Sequence, residues 1–277
     1  MLLTIEHRTC YEYSEPLQYT IQQLRLTPQD NFGQRVIKWD IKVNGQLARF
    51  NDAFGNVTHT LVLDKPHWQI SIVAIGEVET ELPISNSNDS LPVEIYLRET
   101  ALTASSAALK KFSLKFKGKE NQGEVALDKM VDAIILQVPY SKGVTNAQTS
   151  AAEAFEKKAG VCQDHAHIFI ACCRLLGLPA RYVSGYLFTQ DGSLMESHGW
   201  ADVWLKESGW QSFDVSNQCH TSGVHIRLAV GLDYHDACPV SGMRNGGGVE
   251  NMEVSVVVNQ TEHTNQAQKI QQIQSQQ

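Results

Sequence analysis

The 277 residues carry 23 Lys and Arg against 30 Asp and Glu, a net charge of −7, with 42% hydrophobic and 19% charged residues. That composition excludes a mostly disordered chain, and the acidic balance argues against nucleic acid or an anionic membrane as partner, both of which ask for a basic excess. The length suits one large or two modest domains.

The six cysteines are Cys10, Cys162, Cys172, Cys173, Cys219 and Cys238. An even count signals disulfides chiefly in short secreted chains. The opening Met1–Arg8 lacks the basic and apolar regions of a signal peptide. No apolar stretch approaches the ~18 residues of a membrane span, since the best one, Ile168–Cys173, ends at Arg174. The expectation is therefore a cytoplasmic protein with free thiols.

In chain order, Leu3–Tyr13 alternates and is rich in β-formers, and so does Trp39–Val43 before Asn44-Gly45, a hairpin signal. Two further strands are expected over 57–63 and 69–79, in the pattern of an antiparallel β-sandwich. The polar run Ser85–Ser90 and Pro92 place a boundary near residue 95. Beyond it, Leu127, Met130, Val131, Ile134 and Ile135 recur at helical spacing up to Pro139. Ser150 with Glu153 forms a capping box for a helix that stops near Gly160. A second helix starts at Cys162 and ends at Gly177. Strands are expected over 180–188, 197–206 and 209–215, then a further strand pair at 225–232 and 253–258. Residues 266–277 hold seven glutamines and too few apolar residues to pack, so they read as a solvated tail. The units are 1–94, a β domain; 95–259, a core of helices and strands; and 260–277, the tail.

Chemistry concentrates at Gly160-Val161-Cys162-Gln163-Asp164. A thiol in the first turn of a helix meets unpaired backbone N–H groups and the positive end of the helix dipole, which favour its anion. On the strand 197–204, His198, Trp200, Asp202 and Trp204 share one face. Asp214 closes the next strand, across the Glu207-Ser208-Gly209 turn. A tight two-residue turn leaves Asp214 about three positions short of His198, whereas a longer loop or a bulge makes them neighbours. Nucleophile, base and orienting carboxylate follow the logic of a catalytic triad.

The blocks Thr149–Ala154, Gly160–His167 and Arg174–Tyr186 resemble the bacterial transglutaminase-like superfamily. So do His198-Gly199-Trp200-Ala201-Asp202-Val203-Trp204 and Gly209–Asp214, while His225–Tyr234 looks like a C-terminal motif of that family. Gln23–Pro28 and Asp52–Asn56 are similar to the β domain that precedes such cores. The resemblance implies an α+β protein with a papain-like core. It makes Cys162 the nucleophile, His198 the general base and acid, and Asp214 the orienting residue, acting on amide bonds through a thioester. The acceptor is water in a protease or amidase, and an amine in cross-linking or ligation. Hydrolysis of a peptide or isopeptide is the favoured reading, with acyl transfer and a catalytically idle binding scaffold as alternatives. Gly199 stands where alanine is expected, and Asp214-Val215-Ser216 where an Asp-Pro-Thr-like run is expected. Asp164 and His167 match positions near the family's site and read as supporting the pocket. Gln163 and Tyr140 are candidate second donors to an oxyanion, beside the backbone N–H of Cys162. Trp200 reads as core or pocket wall.

Cys172 and Cys173 sit in an apolar helix and read as inert. His165, His167, Cys172, Cys173, Cys219, His220 and His225 lack the spacings of metal sites, so no metal or other cofactor is expected. Gly246-Gly247-Gly248 has no phosphate-loop lysine and reads as a turn. The expected partner is a protein or peptide substrate.

Overall fold

The computed structural model describes residues 1–84, 91–118, 123–189 and 197–261. The Ser85–Ser90 link and the Gln-rich stretch 266–277 lie outside them.

The first strand, β1 (Leu2–Leu24), is twice as long as its alternation alone announced. Pro16 does not end it, because the pairing register shifts around that proline, between Glu12 and Leu17. A bulge is where a missing N–H costs no ladder bond. β1 organises a seven-stranded antiparallel sheet with β2 (Arg35–Val43), β3 (Gln46–Asn51), β4 (Val57–Leu63), β5 (His67–Glu79), β11 (Val240–Gly246) and β12 (Glu250–Gln260). Its first half lies between β5 and β12 and its second half between β4 and β11. Side chains from both halves, including Leu3, Ile5, Leu17, Leu24, Leu61, Ile72 and Val256, enter one apolar cluster.

Asn44-Gly45 does not close a hairpin. β2 pairs with β5 and β3 pairs with β4, so the turn carries the chain between opposite ends of the strand order. The two residues serve packing instead. The Asn44 side chain donates to Gln69 O at 3.0 Å and accepts from Ser71 N at 3.1 Å. A Cβ on Gly45 would lie 2.6 Å from Leu63 Cδ2.

The helices are α1 (Ala107–Ser113), α2 (Glu124–Gln137), α3 (Ala151–Lys157), α4 (Cys162–Leu175) and the single turn α5 (Tyr234–Ala237). The Ser150 box is closed in both directions: Glu153 N donates to Ser150 Oγ at 3.3 Å and Ser150 N to Glu153 Oε2 at 2.8 Å. α4 is the central helix, and every residue from Asp164 to Cys173 is buried. Its last turn is fastened by Arg174, whose guanidinium donates to Tyr96 O, Ala180 O, Leu232 O and Thr103 Oγ1. Gly177, at φ +80°, makes the exit that left-handed backbone demands.

α4 packs on a second antiparallel sheet, ordered β10-β6-β7-β8-β9. Its strands are β6 (Ala180–Leu187), β7 (His198–Leu205), β8 (Gly209–Asp214), β9 (Cys219–His220) and β10 (His225–Gly231). The expected pairing of 225–232 with 253–258 does not form. β10 lies against β6, and β12 returns to β1 in the first sheet. Period-2 alternation marks a strand but not its neighbour, and here the free side of β1 competes successfully.

The two sheets are joined at β10. Gln34 donates to Arg227 O at 2.9 Å and accepts from Arg227 N at 2.8 Å. Asn56 does the same for Val230, at 2.7 and 2.8 Å. Two side-chain amides thus satisfy an edge that backbone would otherwise have to pair. Beneath them, Asp202 is fully buried and holds both Arg181 and Arg227, at 2.8 and 2.7 Å, with Ser212 Oγ donating to it at 2.6 Å. The Arg181 guanidinium lies 3.9 Å from the Trp210 ring centroid and that of Arg227 4.0 Å from Phe32. All six cysteines are free thiols. Among the described residues, no helix is long and apolar enough to cross a membrane.

Candidate active site

Cys162 is the first residue of α4, and Val161 precedes it in extended conformation. The turn is built by Asp164, whose Oδ2 accepts from Val161 N at 2.8 Å and from Thr145 Oγ1 at 2.7 Å. This is the return half of a capping box, with a valine where the usual serine stands. A Cβ on Gly160 would lie 2.7 Å from Asp164 Cβ, so the glycine is required by that carboxylate. Burial pushes the Asp164 carboxyl up, against the pull of its two donors. Asp164 therefore shapes the thiol-bearing turn.

The β7–β8 connection is a three-residue loop, 206–208, which settles the register the sequence left open. Leu205 pairs with Gly209 and Ala201 with Phe213. Asp214 consequently stands opposite Trp200, diagonal to His198 on the same face, and no bulge is needed. Diagonal neighbours are within reach of long side chains. His198 Nε2 and Asp214 Oδ2 are 2.7 Å apart. Cys162 is within electrostatic reach of the imidazole and favours its charged form.

Asp214 is fully buried and richly supplied with donors. Besides His198, its Oδ2 accepts from Asn217 Nδ2 at 2.7 Å and from His225 Nε2 at 3.0 Å, and its Oδ1 from Asn217 N at 3.3 Å. His225 Nδ1 accepts from Ser222 N at 3.1 Å, so the proton of that ring is on Nε2 and is donated to Asp214. Burial opposes ionisation of Asp214, yet the hydrogen bonds from His198 and His225 outweigh it and hold the carboxyl well below its ordinary range. For His198, burial likewise disfavours the charge, and the bond to Asp214 and the nearby Cys162 overcome it, raising the imidazole to about 10.

The other expected site residues divide. Trp200 is 1% exposed and lies under the histidines, its ring centroid 6.0 Å from His198 and 5.5 Å from His225. A Cβ on Gly185 would come within 2.4 Å of that indole. His167 is buried one turn beyond the thiol. Burial lowers it to about 3, and its Nε2 accepts from Tyr234 N at 3.1 Å. Gln163 points away from the pair, its amide donating to Ala147 O at 3.1 Å. Tyr140 is half-exposed and stacks at 6.1 Å on His165.

Four residues with a place in this arrangement were not assigned to it from the sequence. His225 and Asn217 supply donors to Asp214. His165 donates from Nε2 to Val138 O and accepts at Nδ1 from Ser216 Oγ, tying the start of α4 to the segment after Asp214. Tyr182 is buried with its hydroxyl over Gly199, where an alanine Cβ would lie 2.0 Å from it. That contact is the physical reason for glycine after the histidine. Of these, only Asn217, three residues after a carboxylate, carried a local signal.

Potential ligand atoms of His198, Asp214 and His225 lie within 4.8 Å of one another. Both histidines spend their Nε2 protons on Asp214, so a cation there would have to displace the bonds that hold the site. Cys172 and Cys173 are buried, which pushes the first up to about 12 and the second well above the ordinary thiol range.

Residues 3–79 match the bacterial transglutaminase-like N-terminal region, and residues 110–215 match the transglutaminase-like superfamily. The chain thus carries a bacterial transglutaminase-like N-terminal region followed by a transglutaminase-like core. Among its relatives is an uncharacterized protein of Mycobacterium leprae, 28% identical over 92% of this chain and 98% of that one. Another, from Mycobacterium bovis, is 27% identical over 86% of each. The crystal structure of a protein named "putative cysteine protease" from Cytophaga hutchinsonii superposes with a TM-score of 0.76 at 23% identity, covering 95% of this chain and 92% of that one. It shares the α+β fold.

Proposed function

We propose that this transglutaminase-like protein is a cysteine-dependent hydrolase of peptide or isopeptide amide bonds. One observation carries the reading: His198 donates from Nε2 to buried Asp214 at 2.7 Å and lies within electrostatic reach of Cys162, a thiol in the first turn of α4.

Cys162 Sγ, its proton already held by His198, forms a bond to the amide carbon. The resulting oxyanion meets the N–H of Cys162, a first-turn amide with no intrahelical acceptor. His198 then protonates the leaving nitrogen, the C–N bond breaks, and a thioester remains. Water, deprotonated by His198, attacks the thioester carbon, and the C–S bond breaks to release the acid and restore the thiol. Asp214 fixes the imidazole tautomer and balances the imidazolium in both half-reactions.

The test is iodoacetamide alkylation followed by peptide mapping. Cys162 is expected to react at least ten times faster near pH 7 than the exposed Cys219. Equal rates refute the activated thiol. Cys162→Ala should abolish hydrolysis of a peptide library, and adding a primary amine reports whether acyl transfer competes with water.

A further inference from the structure

A cavity of about 430 Å³ opens beside the site, between the first sheet and the catalytic core. One wall is the inward face of β1 and β12. Along that face the cross-strand pairs are His7 with Val256, Thr9 with Val254, and Tyr11 with Met252. Val256 is fully covered, but Val254 is 39% and Met252 55% exposed, although all three point to the same side of the strand. The sheet thus runs past its own core and presents apolar side chains to the cavity. Tyr234, Pro239 and Val240 stand across from them.

The cavity adjoins the reacting groups. Ser197, on its rim, precedes His198. Tyr234 donates its N–H to His167 on α4, and its ring meets Tyr182 edge-on at 6.0 Å. The Tyr182 hydroxyl in turn covers Gly199, and Cys162 is within electrostatic reach of both tyrosines.

His7 and Thr9, on the wall, are already engaged. His7 Nδ1 and Nε2 are bonded to Tyr186 Oη at 2.8 Å and Thr9 Oγ1 at 2.9 Å. Burial lowers His7 to about 4 and, with the charge of Glu250, raises Tyr11 to about 12, so both are neutral at physiological pH. Among the described residues, no Asp, Glu, Lys or Arg lines the cavity.

We infer that this cavity is a specificity subsite for an aliphatic or aromatic side chain of the peptide acyl donor, with Val254 and Met252 as its selecting residues. An aromatic-sided cavity whose described lining carries no charge rewards apolar occupants and leaves a charged one desolvated and unpaired. The inference rests on the hydrolase reading above. It assigns the N-terminal sheet, through β1 and β12, a part in choosing the substrate.

Peptidyl acyloxymethyl ketones test it, since they alkylate a thiol with loss of carboxylate and need no turnover. Probes carrying Leu, Phe, Asp or Lys at each position next to the ketone are compared, and each rate is divided by that of iodoacetamide at Cys162 in the same protein. At one position Leu and Phe should exceed Asp and Lys at least tenfold. Val254→Asp should reduce that preference at least tenfold and favour Lys, and Met252→Glu, at a more exposed position, should act in the same direction. Equal relative rates for all four probes, or a preference that neither variant moves, overturn the subsite while leaving the hydrolase reading intact. Failure of iodoacetamide to prefer Cys162 over Cys219 overturns that reading and the subsite with it.

Discussion

Replacing Asp214 by asparagine keeps the volume, removes the charge and turns one acceptor oxygen into a donor. Three N–H groups, from His198, His225 and Asn217, converge on Oδ2, and the Asn217 backbone N–H faces Oδ1. An amide turned with its oxygen toward the three donors sets its own NH2 against the Asn217 N–H. Turned the other way, it sets NH2 against three donors. Exchanging a charge-assisted bond to His198 for a neutral one removes roughly 1–2 kcal/mol, and the imidazolium also loses a buried counter-charge. A combined loss of about 2–3 kcal/mol corresponds to about a 30- to 150-fold slower reaction at Cys162, at about 1.4 kcal/mol per tenfold. The assay is the second-order rate of iodoacetamide alkylation at Cys162, mapped from pH 5 to 9 on protein whose near-UV dichroism shows native packing. A folded Asp214→Asn variant with an unchanged rate profile refutes the proposed role of the carboxylate.

Two further outcomes follow from the same geometry. His198 is raised from 6.5 in the unfolded chain to about 10 in the fold, so its stabilising contribution is complete below pH 6.5 and is lost as pH rises through about 10. The stability difference between the native chain and His198→Gln, measured by urea denaturation, should shrink by a few kcal/mol between pH 6 and pH 10.5; a pH-independent difference contradicts the paired imidazolium. Gly199→Ala drives a Cβ into the Tyr182 hydroxyl and should cost roughly 1–3 kcal/mol. Tyr182→Phe in the same chain should recover part of it, with a coupling energy above about 0.5 kcal/mol in a double-mutant cycle. Strict additivity would show that the hydroxyl is not what requires the glycine.

The local signals for the site were strong. Ser150 with Glu153 announced α3, Gly177 the end of α4, and the start of α4 the position of Cys162. Each of these depends on residues three or four apart, and such contacts are written in sequence. The pairing of strands was not legible. Asn44-Gly45 has the composition of a hairpin turn, yet it joins strands that never pair, and 225–232 and 253–258 enter different sheets. Alternation specifies which face of a strand is buried but is silent about the strand beside it.

The same division runs through the candidate site. The sequence by itself determined the order Cys162, His198, Asp214, the chemical type of each, and the helix start that carries the thiol. The loop 206–208 decided that Asp214 meets His198 diagonally. Chain return after β9 decided that His225 shares the carboxylate, although β10 and β8 are not neighbours in the sheet. Packing decided that the hydroxyl of Tyr182 fills the space above Gly199, and the return of β12 to β1 decided that the N-terminal sheet borders the site. Those relations join residues tens to hundreds of positions apart, and only closure of the whole chain brings such groups within a hydrogen bond of one another.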